Sequence, residues 1–418
     1  MGQLSDVAEI VMGQSPKGDA CSNSPAGLPL LNGPTEFGSH HPLPTQWTTD
    51  PKRYAQPDDL LFCVRGSTTG RMNWADQDYA IGRGIAALRH KGGAQYQPWL
   101  RGVIEYQLDD LLVAATGSTF PNVSKDQLHC LEVPEHEEWE QREIAAILGA
   151  LDDKIEVNRK TAATLEEMAR ALYRSWFVDF DPVHAKAAGR AAAHMDAATA
   201  ALFPDSFGED GLPEGWTEEP IIAQSDWVNG AAYKKMHFAK TPDALPVVKI
   251  AELKAGVTGN TKFTATDLGE KFRIGRGDLL FSWSGNPDTS IDAFIWALKD
   301  AWLNQHIFAV RPNGKMSKAA LFTILKFYMP EFAEIARNKQ TTGLGHITRK
   351  DLDAFSVRIA PPEIMEVFEN EIEPMFDRYC LTLYENQTLA TLRDTLLPRL
   401  MSGELRVGET REDIEEFS

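Results

Sequence analysis

Two long amphipathic segments give the clearest pattern of apolar and polar positions in the chain. Alternate steps of four and three residues from Ile144, and again from Phe368, meet mostly apolar side chains, which is the heptad pattern of helices that pack together. We therefore predict two long helices that pair as an antiparallel coiled coil. The predicted seam positions are Ile144, Leu148, Leu151, Ile155, Asn158, Leu165 and Leu172 in the first helix, and Phe368, Ile372, Met375, Tyr379, Thr382, Leu389 and Leu396 in the second.

Polar residues interrupt both seams near their middle, at Asn158, Thr382 and Asn386. Buried polar residues at such positions fix the register and orientation of paired helices at some cost in stability, and we favour this role over ligand binding. Each helix leads away from the segment before it, so an antiparallel pair predicts two globular domains at opposite ends of a rod. A pseudo-two-fold axis would relate the two domains.

The segments before the helices resemble each other. PDDLLFCVRGS (57–67) matches RGDLLFSWSGN (276–286), and TGSTFPNVSKDQL (116–128) matches TGLGHITRKDL (342–352). A weaker pair, DVAEIVMGQS (6–15) and AQSDWVNGAA (223–232), has a similar spacing. Similar elements in the same order at a nearly constant offset indicate one duplicated unit rather than a solenoid.

Short apolar runs broken by Gly, Pro and Asn fill each copy before its helix, as expected for short strands and turns. The predicted fold class is a duplicated α/β (α+β) architecture with two mixed α/β domains and two spacer helices. The predicted order is a first domain (1–135), a first long helix (136–178), a linker (179–216), a second domain (217–362), a second long helix (363–405) and an acidic tail (406–418).

Charge and composition restrict the class of protein. The 418 residues carry 42 Lys and Arg against 60 Asp and Glu, a net charge of -18, which argues against phosphate binding by the whole surface. The charge is uneven, however: residues 218–362 hold about 19 basic and about 15 acidic side chains, so a DNA-binding face is possible there. An ordinary solvated acidic surface is the alternative. No apolar run approaches the ~20 residues of a membrane span, and the opening residues lack the pattern of a secretory signal. We expect a cytoplasmic protein.

Catalytic motifs are not found in the sequence. It contains no G-x-x-x-x-G-K-[ST] phosphate loop, no G-x-S-x-G nucleophile elbow and no H-E-x-x-H zinc motif. Asp58 and Asp59 could be taken for the metal ligands of a nuclease. The second copy has Gly277 and Asp278 at these positions, which a two-metal site would not tolerate, so we favour a structural role. His40 and His41 have no partner at metal-ligand spacing, and we expect no metal.

The chain closely resembles the DNA-specificity subunit of type I restriction-modification enzymes, over nearly its whole length. The resemblance is carried by LSDVAEIVMGQSPKG (4–18), TGSTFPNVSK (116–125), LYRSWFVDFDPV (172–183), ALFPDSFGEDGLPEGW (201–216) and LLPRLMSGELRV (396–407). It implies a non-catalytic subunit with two target-recognition domains, each reading one half of an interrupted double-stranded DNA site. It also implies two methyltransferase subunits and restriction (motor) subunits as partners, which would hold S-adenosylmethionine, ATP and Mg.

Candidate DNA contacts are the polar and basic side chains of the Gly-rich loops, because Arg reads guanine, Asn and Gln read adenine, and Lys mostly meets phosphate. The second domain departs from the usual opening motif, with DWVNGAAYKK (226–235) where the first has EIVMGQSPKG (9–18). The predicted contacts are Gln14, Ser15, Lys17, Arg65, Ser67, Arg71, Arg83, Thr119 and Asn122 in the first domain, and Lys234, Lys235, Ser284, Asn286, Gln340, Thr341 and His346 in the second.

Two other functions remain open from the residues alone. A coiled-coil scaffold without a nucleic-acid role would explain the helices and the acidity. A self-contained DNA methyltransferase or nuclease would need catalytic motifs that the sequence does not show. DNA binding with and without a methyltransferase partner, and activity of the purified chain, discriminate between these functions.

Overall fold

Each half of the chain builds a four-stranded antiparallel sheet from the apolar runs of its repeat. The computed structural model describes residues 2–115, 121–239, 241–340 and 343–407, and divides into unit 1 (Met1–Val157 with Thr388–Ser418) and unit 2 (Asn158–Gln387). The first sheet has the strand order Ala8–Met12, Ile85–His90, Leu60–Cys63 and Met72–Trp74, and the second has Ser225–Asn229, Ile307–Pro312, Leu279–Ser282 and Asp292–Ile295.

A second, mixed sheet lies in each unit and contains one parallel strand pair. The parallel pair is Leu28–Leu31 with Tyr79–Ile81 in unit 1, and Leu245–Val248 with Ala301–Leu303 in unit 2. The other strands of these sheets are Cys21–Ser22, Trp47–Thr48 and Tyr54–Ala55 in unit 1, and Phe263–Thr264 and Arg273–Ile274 in unit 2. The duplicated mixed α/β architecture predicted from the sequence is therefore confirmed.

Short two-stranded ribbons and helices complete the units. The ribbons are Gly2–Gln3 with Glu132–Val133, Thr217–Pro220 with Ser356–Ile359, and Ser284–Gly285 with Gly345–His346. The α-helices are Leu4–Val7, Gln97–Tyr106, Leu108–Ala114, Lys125–His129 and Glu138–Tyr173, then Asp181–Ala187, Ala197–Leu202, Ile250–Ala255, Lys318–Phe327, Met329–Asn338, Arg349–Ala354 and Pro362–Met401. None of the helices in the described ranges is long and apolar enough to cross a bilayer.

The two long helices, Glu138–Tyr173 and Pro362–Met401, run antiparallel within each unit. In unit 2 the Nδ2 of Asn158 donates to Oε2 of Glu385 at 2.7 Å, while Tyr173, further along the first helix, lies against Phe368, near the start of the second. In unit 1 Arg393 Nη1 lies 2.8 Å from Asp152 Oδ1. Later residues of the first helix thus contact earlier residues of the second, as expected for an antiparallel pair.

The predicted seam positions lie on the inner faces of these helices. Leu165, Leu172, Met375, Tyr379 and Leu389 are half-buried, and the following are buried: Ile144, Leu148, Leu151, Ile155, Asn158, Phe368, Ile372, Thr382 and Leu396. The heptad pattern did not mark some buried side chains on the second helix, among them Ile364, Phe376 and Cys380, because this helix packs on the sheet and helices of unit 2 as well as on its partner helix.

Segment 179–216, expected as a linker, belongs to the core of unit 2. Val183, Phe203 and Trp216 are buried in the same apolar cluster as Phe177 and Phe368. The first long helix continues into a π-helical turn, Arg174–Val178, and Phe180 then takes a left-handed conformation that reverses the chain. The Ala-rich and Pro-rich composition of this segment does not reveal these few aromatic anchors.

Candidate nucleic-acid interface

Loops from across unit 1 meet at one end of the first sheet. Because neighbouring strands are antiparallel, Ala8–Met12 and Leu60–Cys63 end where Ile85–His90 and Met72–Trp74 begin. We call the predicted contacts on these loops the first loop edge. They are Gln14, Lys17, Arg65, Ser67, Arg71 and Arg83, which are exposed, and Ser15 and Asn122, which are half-buried.

Arg83 stands at the tip of a tight turn, Gly82–Ile85, whose last amide donates to its first carbonyl at 3.1 Å. The amide of Gly82 donates to the carbonyl of Leu31 at 2.8 Å, and the carbonyl of Gly84 accepts from the amide of Val64 at 2.9 Å. The amide of Arg83 itself donates to Oγ of Ser15 at 3.3 Å. The backbone of the turn is therefore fixed on several sides, while the Arg83 side chain is exposed.

Arg65 is joined to Asn122 across the first loop edge. Its Nε donates to Oδ1 of Asn122 at 3.0 Å, and the two backbones form a β-bridge. Asn122 lies just before the helix Lys125–His129, which Ser124 caps. Arg71 contacts another loop, since its Nη1 donates to the carbonyl of Pro34 at 3.3 Å. Thr119 lies outside the described residues.

The second sheet gathers its loops in the same way. The Gly230 amide donates to the Ile307 carbonyl at 3.0 Å, as the Gly13 amide donates to Ile85 at 2.9 Å. A Cβ on either glycine would lie about 2.1 to 2.2 Å from a facing carbonyl oxygen, so only glycine permits this close crossing of backbones. The departure of DWVNGAAYKK from the first opening motif therefore leaves the local backbone unchanged.

The second loop edge contains predicted contacts at positions equivalent to those of the first. Ser284 pairs with His346 in a two-stranded ribbon, in the place of the bridge between Arg65 and Asn122. The members of the second loop edge are the predicted residues Lys234, Lys235, Ser284, Asn286 and His346 together with Asn229, Trp283, Gln305 and His306.

Lys17 and Lys234 are equivalent in position. Each has an extended backbone and stands directly before a short 3-10 helix, Gly18–Ala20 in unit 1 and Lys235–His237 in unit 2. Both lysines are exposed. A lysine in the same place in both units is suited to a contact that does not depend on base sequence, such as a phosphate.

Two predicted contacts of unit 2, Asn286 and Gln340, make hydrogen bonds within their own segments. Oδ1 of Asn286 accepts a hydrogen bond from the amide of Asp288 at 2.9 Å, so this side chain shapes its own loop. The backbone amide of Gln340 donates to the carbonyl of Arg337 at 3.0 Å, at the end of the helix Met329–Asn338. Thr341 lies outside the described residues.

Sequence analysis missed Gln305, which occupies the place of Arg83 in the second unit. Its Nε2 lies 3.2 Å from Nε2 of His306, whose ring is 5.5 Å from that of Trp283. The Trp283 Nε1 donates to Oδ1 of Asn229 at 3.0 Å. The repeat itself was the signal for Gln305, because residues 304–307 align with residues 82–85 and place Gln305 at the position of Arg83.

The two loop edges differ in charge at equivalent positions. At the positions that Arg65, Arg71 and Arg83 occupy in unit 1, unit 2 has Ser284, Asp292 and Gln305, as the strand pairing shows. The carboxylate of Asp292 is paired with Lys326 at 3.0 Å, which neutralises it. At these three positions unit 1 thus presents guanidinium groups, whereas unit 2 presents a hydroxyl, a paired carboxylate and an amide. The basic charge of the second loop edge comes from Lys234 and Lys235 instead.

The acidic pair Asp58 and Asp59 has a structural role. Asp59 is 1% exposed, and both of its carboxylate oxygens accept hydrogen bonds from Arg89 at 2.7 Å. These bonds raise the pKa of Arg89. Among the described residues no group of three or more His, Cys, Asp or Glu side chains is placed to hold a metal ion.

The model of the type I restriction modification DNA specificity domain matches residues 1–167 and 221–387, one match for each repeat. The chain belongs to this family. Each match contains one loop edge, although the second ends before Thr388 and leaves out the last part of the second long helix. The duplicated sheet and the family match therefore describe the same two repeats.

Relatives in the specificity family agree with this assignment. The chain is 25% identical over 343 residues to the type I restriction enzyme HindI specificity subunit of Haemophilus influenzae, covering 71% of this chain and 73% of that protein. It is also 25% identical over 301 residues to the MjaIX specificity subunit of Methanocaldococcus jannaschii, covering 70% and 65%. A crystal structure of a type I restriction-modification S subunit from M. genitalium has a similar fold, with a TM-score of 0.56 at 15% identity and coverage of 96% and 95%.

Proposed function

We propose that the chain is the DNA-recognition subunit of a type I restriction-modification complex and reads an interrupted double-stranded site, one half-site with each loop edge. The supporting observation is that two sheets of the same topology each gather polar and basic loop residues at the same end. The different side chains at equivalent positions then select different half-sites, whereas the lysines shared by both edges meet phosphate.

The proposed subunit performs no chemistry of its own. It recruits two methyltransferase subunits and the restriction subunits, and S-adenosylmethionine, ATP and Mg belong to those partners. Asp59, the best candidate for a metal ligand in the sequence, is already paired with Arg89. Purified chain should therefore show no methylation, nuclease or ATPase activity alone, and should confer site-specific methylation when its methyltransferase subunits are added.

A domain exchange tests the proposal. Residues 1–134 are replaced by the corresponding segment of another specificity subunit, and the methylated sites of cells carrying the chimera and its methyltransferase are mapped by sequencing. We expect one half of the methylated motif to change and the other half to persist. A change in both halves, or in neither, would contradict one reader for each half-site.

Activity of the purified chain provides a second, independent measurement. Methylation or cleavage of DNA by the chain alone, abolished by a single substitution within it, would show a self-contained enzyme. Failure of the chain to bind DNA with and without methyltransferase subunits would favour a scaffold.

A further inference from the structure

One turn in each unit carries an equivalent residue at its tip, Arg83 in unit 1 and Gln305 in unit 2. The turns Gly82–Ile85 and Asn304–Ile307 are closed by hydrogen bonds of 3.1 and 3.2 Å between their last amide and first carbonyl. The first amide of each turn donates to the end of the neighbouring parallel strand, at 2.8 Å to Leu31 and 3.0 Å to Val248. The two turns are therefore built alike, although their sequences, GRGI and NQHI, share only the final isoleucine.

The side chain at the tip differs between the units in a way that matters for base recognition. Arg83 carries a planar guanidinium, and Gln305 carries a planar amide. In the major groove, arginine pairs with the O6 and N7 acceptors of guanine, and glutamine pairs with N6 and N7 of adenine. The lysine position of the same loop edge, Lys17 and Lys234, is unchanged, whereas the residue at the turn tip differs between the units.

A neighbouring ring orients the amide of Gln305. Because an amide nitrogen donates and does not accept, Nε2 of Gln305 donates to Nε2 of His306 across 3.2 Å. This hydrogen bond holds the amide of Gln305 against the ring of His306. It uses one of the two amide hydrogens, and the other hydrogen and the carbonyl oxygen are the pair of groups that adenine recognition requires.

We propose that this turn tip is a specificity-determining position in both recognition domains, with Arg83 selecting guanine in one half-site and Gln305 selecting adenine in the other. The proposal rests on the proposed function of the two loop edges. The backbone of the turn is already fixed by hydrogen bonds and loses little freedom on binding, which favours discrimination between bases.

Reciprocal substitutions test the proposal in the intact complex. The full chain, with its methyltransferase subunits and S-adenosylmethionine, is incubated with a random-sequence duplex library, and the methylated molecules are sequenced. Arg83→Gln should convert one guanine preference in one half-site to adenine, by about tenfold or more. Gln305→Arg should cause the opposite change in the other half-site. Lys17→Ala and Lys234→Ala are the matched controls and should weaken methylation of all sequences evenly.

The unchanged half-site reports on folding within each experiment. A complex that still methylates with both half-sites intact after Arg83→Gln would overturn the proposal, and so would an even loss over all sequences. Arg83→Ala removes every hydrogen-bond donor of the side chain, so it must also lose the guanine preference, and its retention would overturn the proposal. Absence of any bipartite motif with the unaltered chain would instead contradict the proposed function.

Discussion

Asp58 and Gly277 occupy the same left-handed backbone position in the two repeats, with φ of 68° and 90°. Each amide donates to the neighbouring strand at 2.8 Å, to Ala75 in unit 1 and to Trp296 in unit 2. An L-residue is disfavoured in this conformation, and glycine is not. Asp58 is thus tolerated at a backbone position that suits glycine. This explains why Asp58 and Asp59 in the first repeat correspond to Gly277 and Asp278 in the second.

We expect Asp58→Gly to stabilise the protein by up to about 1 kcal/mol, because it removes the strain of a left-handed L-residue. Urea denaturation gives the free energy of unfolding. Asp78→Gly is the control, since Asp78 is exposed and is not among the residues with positive φ. The control should be slightly destabilised, and equal shifts in the two variants would show that backbone strain at Asp58 is unimportant.

Arg65 provides a prediction about recognition. Its Nε is engaged by Asn122, which fixes the plane of the guanidinium, and we expect it to read a base. Arg65→Ala should then cost about 1 to 3 kcal/mol for the target site and relax discrimination at one base position. Affinities for single-base variants at two salt concentrations measure both effects. Asn122→Ala should relax the same position to a smaller degree. An even loss over all variants, with the salt slope reduced by about one, would identify a phosphate contact instead.

The hydrogen bond between the buried Asn158 and the half-buried Glu385 leads us to expect a loss of stability when the polar contact between the two long helices is broken. Asn158 is 1% exposed and donates to the carboxylate at 2.7 Å. Asn158→Ala removes this donor from a carboxylate on the facing helix and should destabilise the protein by about 1 to 3 kcal/mol. Thermal unfolding measures the change. Met168→Ala, at a position 50% exposed on the same helix, should have little effect, and a similar loss in both variants would contradict the prediction.

The raised pKa of Glu373 leads us to expect that the stability of the protein depends on pH. Burial of its carboxyl, with the neighbouring charges of Asp377 and Glu369, raises its pKa, and Lys318 opposes this only in part. A carboxyl whose pKa is raised by folding destabilises the folded state when ionised, above the folded pKa, and this penalty disappears below the unfolded pKa of about 4.3.

We therefore expect Glu373→Gln to raise the melting temperature at pH 7 and to have a smaller effect as the pH falls toward 4. Melting temperatures of both proteins across this range provide the test. Glu371→Gln, at an exposed position of the same helix, is the control. A gain that stays constant with pH would show that the charge of Glu373 is not its cause.

The sequence predicted the duplication and the helices well because both depend on patterns that repeat. The heptad steps marked side chains that lie buried between the long helices, and the LLF runs marked the central strand of each sheet. Gln305 was not predicted because its turn shares only one residue with the turn of Arg83, so the repeat is hard to follow there from the sequence. Asn286 is a polar loop residue, but its bond to the Asp288 amide shows a local role that composition cannot distinguish from DNA contact.

The buried side chains of segment 179–216 were not predicted for a related reason. Its few large side chains, such as Phe203 and Trp216, lie far apart in a stretch of Ala, Gly and Pro. Burial of single aromatic anchors depends on the tertiary fold and leaves no regular spacing in the sequence.

Unit 1 draws its core from both ends of the chain, which affects the order in which the protein can fold during synthesis. Leu148 and Leu151 share an apolar cluster with Leu396, Leu400 and Leu405. The ribosome adds roughly 5 to 20 residues per second, so the early part of this cluster waits on the order of 10 to 50 s for its partners. Unit 2 is contiguous from Asn158 to Gln387 and can close first. The N-terminal recognition domain, although made first, is thus completed last, and a nascent chain cut short near residue 390 leaves that domain's apolar surface open to chaperones and proteases.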